Sequence, residues 1–179
     1  FQLESGQIEV VFEDGTSCVA TGPADIRIDA RDRVHLDRGT LRTRIGVDGK
    51  GFTVATERGH VVDLGTDFGV RVTANLMDVV VFQGLVQLEP HREDDRVAEP
   101  IPIGESDGLR VTDGGIRPLS VIDETAYPNG APIASGPTII ASVVDSRRDP
   151  NGDHPYRVVR EGLRNGALAY ADRFHRWCA

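Results

Sequence analysis

Asp63, Thr66 and Asp67 stand within five positions of one another and offer two carboxylates and a hydroxyl, the donor types of a small ligand or cation site. A hard divalent ion takes about six to eight oxygens, more than this stretch supplies. The same side chains commonly bond nearby backbone N–H groups, so Thr66 and Asp67 are expected to cap a corner. Asp149, Asn151 and Asp153 copy the first three ligands of a calcium loop. The copy then fails: His154 occupies the glycine position, Pro155 follows, and Arg160 replaces the closing glutamate. An Asx-type turn is the better account. The five histidines, 35, 60, 91, 154 and 175, include no i, i+4 pair and no His-x-His, so metal catalysis finds no support. Ser5, Ser106 and Ser135 lie next to or near glycine, but none sits in a Gly-x-Ser-x-Gly elbow. No catalytic residue, metal site or cofactor is predicted, and the chain is expected not to be an enzyme.

Cys18 and Cys178 are the only cysteines and lack metal-ligand spacing. Whether they pair or remain two thiols is open, because spacing across almost the whole chain says nothing of their approach. The net charge of −8 argues against a nucleic-acid or anionic-membrane surface. Residues 145–179 run the other way, with seven arginines against five acids. No apolar run approaches the ~20 residues of a membrane span, and no signal peptide opens the chain. The sequence starts mid-pattern at Phe1-Gln2-Leu3 without methionine, as expected of a piece of a longer protein.

The elements that position these groups are short strands. In the run 61–70, hydrophobic residues at 62, 64, 68 and 70 alternate with small or acidic ones around a Gly-Thr-Asp corner. That is the period of half-buried strands, with Gly65 at the corner. Further strands are expected at 7–12, 17–20, 25–29, 33–36, 40–45, 52–56, 60–64, 68–73, 78–82 and 85–89. Between them lie turn signals, including Thr21-Gly22-Pro23 and Asp37-Arg38-Gly39. Arg42 and Arg44 fill the outward slots beside Leu41, Thr43 and Ile45. Phe12, Phe52, Phe68 and Phe82 fall in core-like slots. Many short strands with glycine turns predict an all-β fold, either a short-stranded β-solenoid or a two-sheet, jelly-roll-like sandwich. A glycine precedes the strands at 7, 40 and 85, at unequal spacing, so no strict repeat is present.

Residues 91–107 are charged and then interrupted by proline, as in a surface loop, and a last strand of the body is expected near 109–111. Three regions follow: an all-β domain over 1–112, a Pro/Gly-rich extended segment over 113–144 with a strand at 138–144, and an extension over 145–179. The extension contains the one helical stretch, 156–168, weakened by Gly162 and Gly166, and is expected to lead into a further domain. Near its end, Tyr170, Arg173, His175 and Trp177 have the composition of an interaction surface. Tyr170, Phe174 and Trp177 equally suit anchoring of the tail onto the body.

Four segments, in order, resemble the FecR family, the extracytoplasmic domain of bacterial sigma-factor regulators. They are Leu3–Val10; Asp14-Gly15 leading to Thr21-Gly22-Pro23-Ala24; Gly39-Thr40-Leu41 with 52–56; and 62–70 with Val79–Val86. Ile103-Gly104-Glu105 resembles the family's closing element, so the resemblance spans about 3–112. Its structural signature here is Gly22, Pro23, Asp63, Leu64, Gly65, Thr66, Asp67 and Phe68. The tail departs from short regulators and resembles the extensions of planctomycete-type members.

The resemblance implies a non-enzymatic sensor or relay domain in the periplasm or another extracytoplasmic space. A span outside this sequence would tether it to the cytoplasmic membrane, and it would act by protein–protein contact to control sigma-factor activity. The implied partner is an outer-membrane or surface receptor, or an anti-sigma relay, with no nucleic acid and with the domain itself outside the membrane. The alternative is a carbohydrate-binding or structural module of a larger surface protein, which would need exposed aromatics.

Overall fold

The computed structural model describes residues 2–47, 49–91 and 99–128, and the backbone of 156–162. Thirteen strands run in chain order: β1 (Gln2–Leu3), β2 (Gln7–Phe12), β3 (Ser17–Ala30), β4 (Arg33–Arg44), β5 (Thr53–Thr56), β6 (Gly59–Asp63), β7 (Asp67–Val72), β8 (Leu76–Gln83), β9 (Leu85–Pro90), β10 (Ile101–Gly104), β11 (Gly108–Thr112), β12 (Gly115–Pro118) and β13 (Tyr156–Gly162). One single-turn 3₁₀ helix, Glu124–Ala126, is capped by Asp123, whose carboxylate accepts from the Thr125 N–H at 3.0 Å.

All thirteen strands belong to one hydrogen-bonded sheet that curls on itself. The long hairpin β3–β4 belongs to both halves. The C-terminal part of β3 and the N-terminal part of β4 pair with β1 and β5, giving a first leaf in the order β1-β3-β4-β5-β6-β9-β10. Their other parts pair with β2 and β7, giving a second leaf, β13-β2-β3-β4-β7-β8-β11-β12. Among the described residues only β4–β5 is parallel, so the body is a two-layered curled sheet rather than a stack of parallel rungs.

Side-chain alternation explains the layering. In the second leaf Leu41, Phe68, Val70, Met77, Val79 and Val81 face inward; in the first, Val34, Val54, Val61, Val86, Leu88 and Ile103 do the same. All join one core. The leaves touch through Phe12 and Phe52, whose rings meet edge to face at 4.9 Å, and through Thr56 Oγ1, 3.1 Å from Met77 Sδ.

Several expectations are corrected. Thr21-Gly22-Pro23 and Asp37-Arg38-Gly39 do not end strands; they are the irregular middles of β3 and β4, where the register shifts around Asp25. There the hairpin passes from one leaf to the other. The Gly22-Pro23 peptide is cis, and Gly39 has φ +111° with Ala24 so close that a Cβ would stand 2.5 Å from the alanine methyl. Only glycine fits that crossing. The expected loop 91–107 contains β10, which pairs with β9. The expected helix at 156–168 is a strand over 156–162, antiparallel to β2. The β-branched pair Val158-Val159 and Gly162 disfavour helix, and β2 offers an unpaired edge to complete. The remainder of that stretch, the expected strand at 138–144 and the expected turn at 149–153 lie outside the described residues.

Candidate interaction surface

The Gly-Thr-Asp corner joins β6 to β7 at the end of the molecule shared by the β8–β9 turn and the loop after β4. Strand pairing puts Asp63 in the inward row with Val86 and Ile103, and its side chain is fully buried. Its carboxylate accepts the Gly65 N–H at 2.8 Å and a short hydrogen bond from the Thr66 hydroxyl. Burial pushes the Asp63 pKa up despite those donors. The cap is therefore Asp63 with Thr66. Asp67 turns away to arginine: Arg42 Nε and Nη2 each donate to it at 2.8 Å, and Arg44 Nε donates at 3.0 Å. Inward placement of Val61 and Asp63 leaves Leu64 exposed, so the alternation at 62 and 64 marks the outer face.

The outer face of the second leaf carries three cross-strand rows. Thr40, Arg71, Asp78, Arg110 and Arg117 are successive neighbours across β4, β7, β8, β11 and β12. Asp78 is fully buried, held by Arg71 Nη2 at 2.5 Å and by Arg110 Nε and Nη2 at 2.6 and 2.8 Å. Burial alone would raise its pKa; Arg110 and Arg71 outweigh it and hold the carboxyl below the usual range. The next row is Val19, Arg42, Gly69, Val80 and Gly108. In the third, Asp67 lies beside Arg44 and Gln83, and a bulge at that point leaves Phe82 without a cross-strand partner. The bulge aims Phe82 along the face, where the Arg42 guanidinium stacks 4.0 Å from its centroid. Arg42 is thus buried, not solvated, and Phe82 is an outer-face residue, not core.

Beyond β12 the chain returns across this face. The Leu119 N–H bonds Gly108 O at 2.9 Å, and a Cβ on Gly108 would stand 3.0 Å from Leu119 Cδ1. Further on, Tyr127 lies over Gly69, where a Cβ would come within 2.3 Å of Cδ1 and 2.6 Å of Cε1. The Tyr127 ring meets Phe82 edge to face at 5.6 Å and is 5% exposed. Burial pushes its pKa up to about 12. Val19 and Val80, on the outer face, are buried outside the main core.

Of the residues singled out from sequence, Gly22 and Pro23 lie at the leaf crossing, and Asp63 to Phe68 at the corner. The two groups are separate: one shapes the hairpin, the other closes an end. Tyr170, Arg173, His175 and Trp177 lie outside the described residues, as does Cys178; Cys18 is buried beside Thr43 Oγ1. Sequence reasoning missed Asp78, Arg71, Arg110, Gly69 and Tyr127. An acid within the valine-rich β8 and glycines at strand positions were the available signals. Among the described residues, no three His, Cys, Asp or Glu side chains are placed to share a metal ion. Among them also, no helix is long and apolar enough to cross a membrane.

Residues 3–87 match the model of the family described as FecR protein. No curated protein matches the chain. Two crystal structures of a candidate anti-sigma factor from Parabacteroides distasonis, at 1.65 and 2.50 Å resolution, are similar in fold. They are 20% and 21% identical, with TM-scores of 0.55 and 0.54, over 66% of this chain. The chain spans 58% of the length of each.

Proposed function

With a FecR domain over residues 3–87 as premise, we propose that this chain is a non-enzymatic, extracytoplasmic sensor or relay domain. It controls sigma-factor activity by protein–protein contact, and a span outside this sequence tethers it to the cytoplasmic membrane. The family match carries the proposal, and the fold shared with the candidate anti-sigma factor supports it. The site chemistry is consistent: the buried acids Asp63 and Asp78 are engaged by the corner and by two arginines. A carbohydrate module would stack sugars on exposed aromatics. Among the described residues Phe12, Phe52, Phe68 and Tyr127 are buried, and Phe82 lies against Arg42 and Tyr127.

The proposed partner is an outer-membrane or surface receptor, or an anti-sigma relay. We further propose that the β-domain extends past residue 112 to include the segment through Tyr127 and, through β13 beside β2, residues 156–162. The test is a sigma-dependent promoter reporter in cells carrying the parent gene with the codons for 3–127 deleted in frame. Altered reporter output and co-purification of the intact parent with a receptor or sigma regulator are expected. Unchanged output under every inducing condition, with no co-purifying partner, refutes the relay.

A further inference from the structure

We propose that the outer face of the second leaf is a recognition groove for an extended acidic segment bearing an aromatic side chain, held in cis by residues 119–127. Three observations carry this. First, Gly108 and Gly69 sit in one cross-strand row with Val80 between them, and each forms a notch filled from the strap, by Leu119 and by Tyr127. Glycine within a strand weakens the sheet and marks where another chain must approach closely. Second, the charges are complementary. The face carries Arg42, Arg44, Arg71, Arg110 and Arg117 against Asp67 and Asp78, in a chain of net charge −8. The strap brings Asp123 and Glu124, both exposed; hydrogen bonds from Thr125 hold the Asp123 carboxyl below its usual range, with Arg71 adding the least. Third, the strap is attached by its ends. Leu119 N–H is its one backbone hydrogen bond to the sheet among the described residues; the turn at 123–127 bonds only to itself. Val121 is 80% exposed, and only Tyr127 and Pro128 at the far end are buried.

An ordered β-edge would add a strand through main-chain bonds. Here attachment is by one main-chain bond and the Leu119 and Tyr127 side chains, the manner in which an exchangeable peptide is held. A partner segment of the same chemistry would compete with the strap, which enjoys the high effective concentration of a tethered ligand, about millimolar for a short linker. This deepens the protein-contact reading above and rests on it for its biological meaning.

The probe is a fluorescein-labelled synthetic peptide of residues 118–128, titrated by anisotropy against the full chain. Tyr127→Ala, which empties one notch, is expected to bind the peptide at least tenfold more tightly than the unaltered chain. Adding Gly69→Leu to that variant fills the notch and is expected to abolish the binding. If Tyr127→Ala fails to fold by circular dichroism, Asp123→Lys/Glu124→Lys changes only exposed residues and is expected to show the same gain. A peptide with both acids changed to lysine is expected to lose at least tenfold. Absence of peptide binding to a folded strap variant, or binding indifferent to Gly69→Leu, overturns the groove. Such failure leaves the relay standing if the reporter still responds; an unresponsive reporter with intact peptide binding refutes the relay alone.

Discussion

Gly69→Ala should couple to Tyr127 in a way that no ordinary strand substitution would. Alanine at an interior strand position usually gains about 0.5–1 kcal/mol over glycine. Here the added methyl would sit 2.3 Å from Tyr127 Cδ1 and 2.6 Å from Cε1, against a comfortable carbon–carbon separation of about 3.5–4.0 Å. The ring must therefore leave its place. Losing the burial of a side chain of this size costs about 1.5–3 kcal/mol. Losing the edge-to-face pair with Phe82 adds about 0.5–1.5 kcal/mol. Set against the alanine gain, the net destabilisation is about 1–4 kcal/mol. Tyr127→Ala removes the same contacts and should cost about 2–4.5 kcal/mol. In that background Gly69→Ala meets no ring and should be neutral or stabilising by up to about 1 kcal/mol. A double-mutant cycle by urea unfolding at 25 °C, with m-values checked for constancy, reads the coupling directly. Costs that add to within about 0.5 kcal/mol would refute the packing of Tyr127 on Gly69.

Asp78→Ala should destabilise by about 1–3 kcal/mol, because it removes the acceptor that Arg71 and Arg110 share while both guanidinium groups keep access to water; urea unfolding measures it. The depressed Asp78 pKa means its contribution is present above the unfolded value of 3.8 and is lost as pH falls through the lower folded value. Acid unfolding of Asp78→Asn should accordingly be less steep. Asp63 has the opposite sign, since its raised pKa makes ionisation unfavourable in the folded state. Asp63→Asn should therefore be tolerated at neutral pH far better than Asp63→Ala, judged by melting temperature. The Tyr127 hydroxyl, raised from 10.0 to about 12, favours the folded state below pH 10 and ceases to do so as pH rises through that window. Tyr127→Phe should abolish that alkaline component in pH-dependent unfolding. Cys18, 3% exposed with its pKa raised to about 12, should resist thiol reagents until the chain unfolds. A Cys178→Ser background isolates the reaction.

Strand existence was legible wherever alternation and glycine punctuation agreed, as at 7–12 and 85–89, which the fold reproduces to within a residue. Gly22-Pro23 and Asp37-Arg38-Gly39 misled because the signal that ends a strand also bends one between layers. The face of 61–64 was not legible for a different reason. Val61, Val62 and Leu64 are all apolar, so the period could not say which parity faces inward, and a buried Asp63 contradicts the hydrophobic rule. Arg42 looked solvated because its cover, Phe82 and then Tyr127, comes from a bulge and from a segment far along the chain. Non-local cover leaves no mark in local periodicity. The strand at 156–162 exists through the vacancy beside β2, which a window over its own residues does not contain.

The β3–β4 hairpin, common to both leaves, has a mechanical consequence. A sandwich of two independent sheets can slide or splay along the plane between them. Here that plane is crossed by two continuous strands fixed at Gly39 against Ala24, and neither layer can shift without breaking ladder bonds in the other. The described body should open as one cooperative unit, its slowest-exchanging amides clustered around Val19 to Thr21 and Leu41 to Thr43. A molecule built this way transmits a push as a rigid lever does, leaving exposed loops and the strap as the parts free to change state.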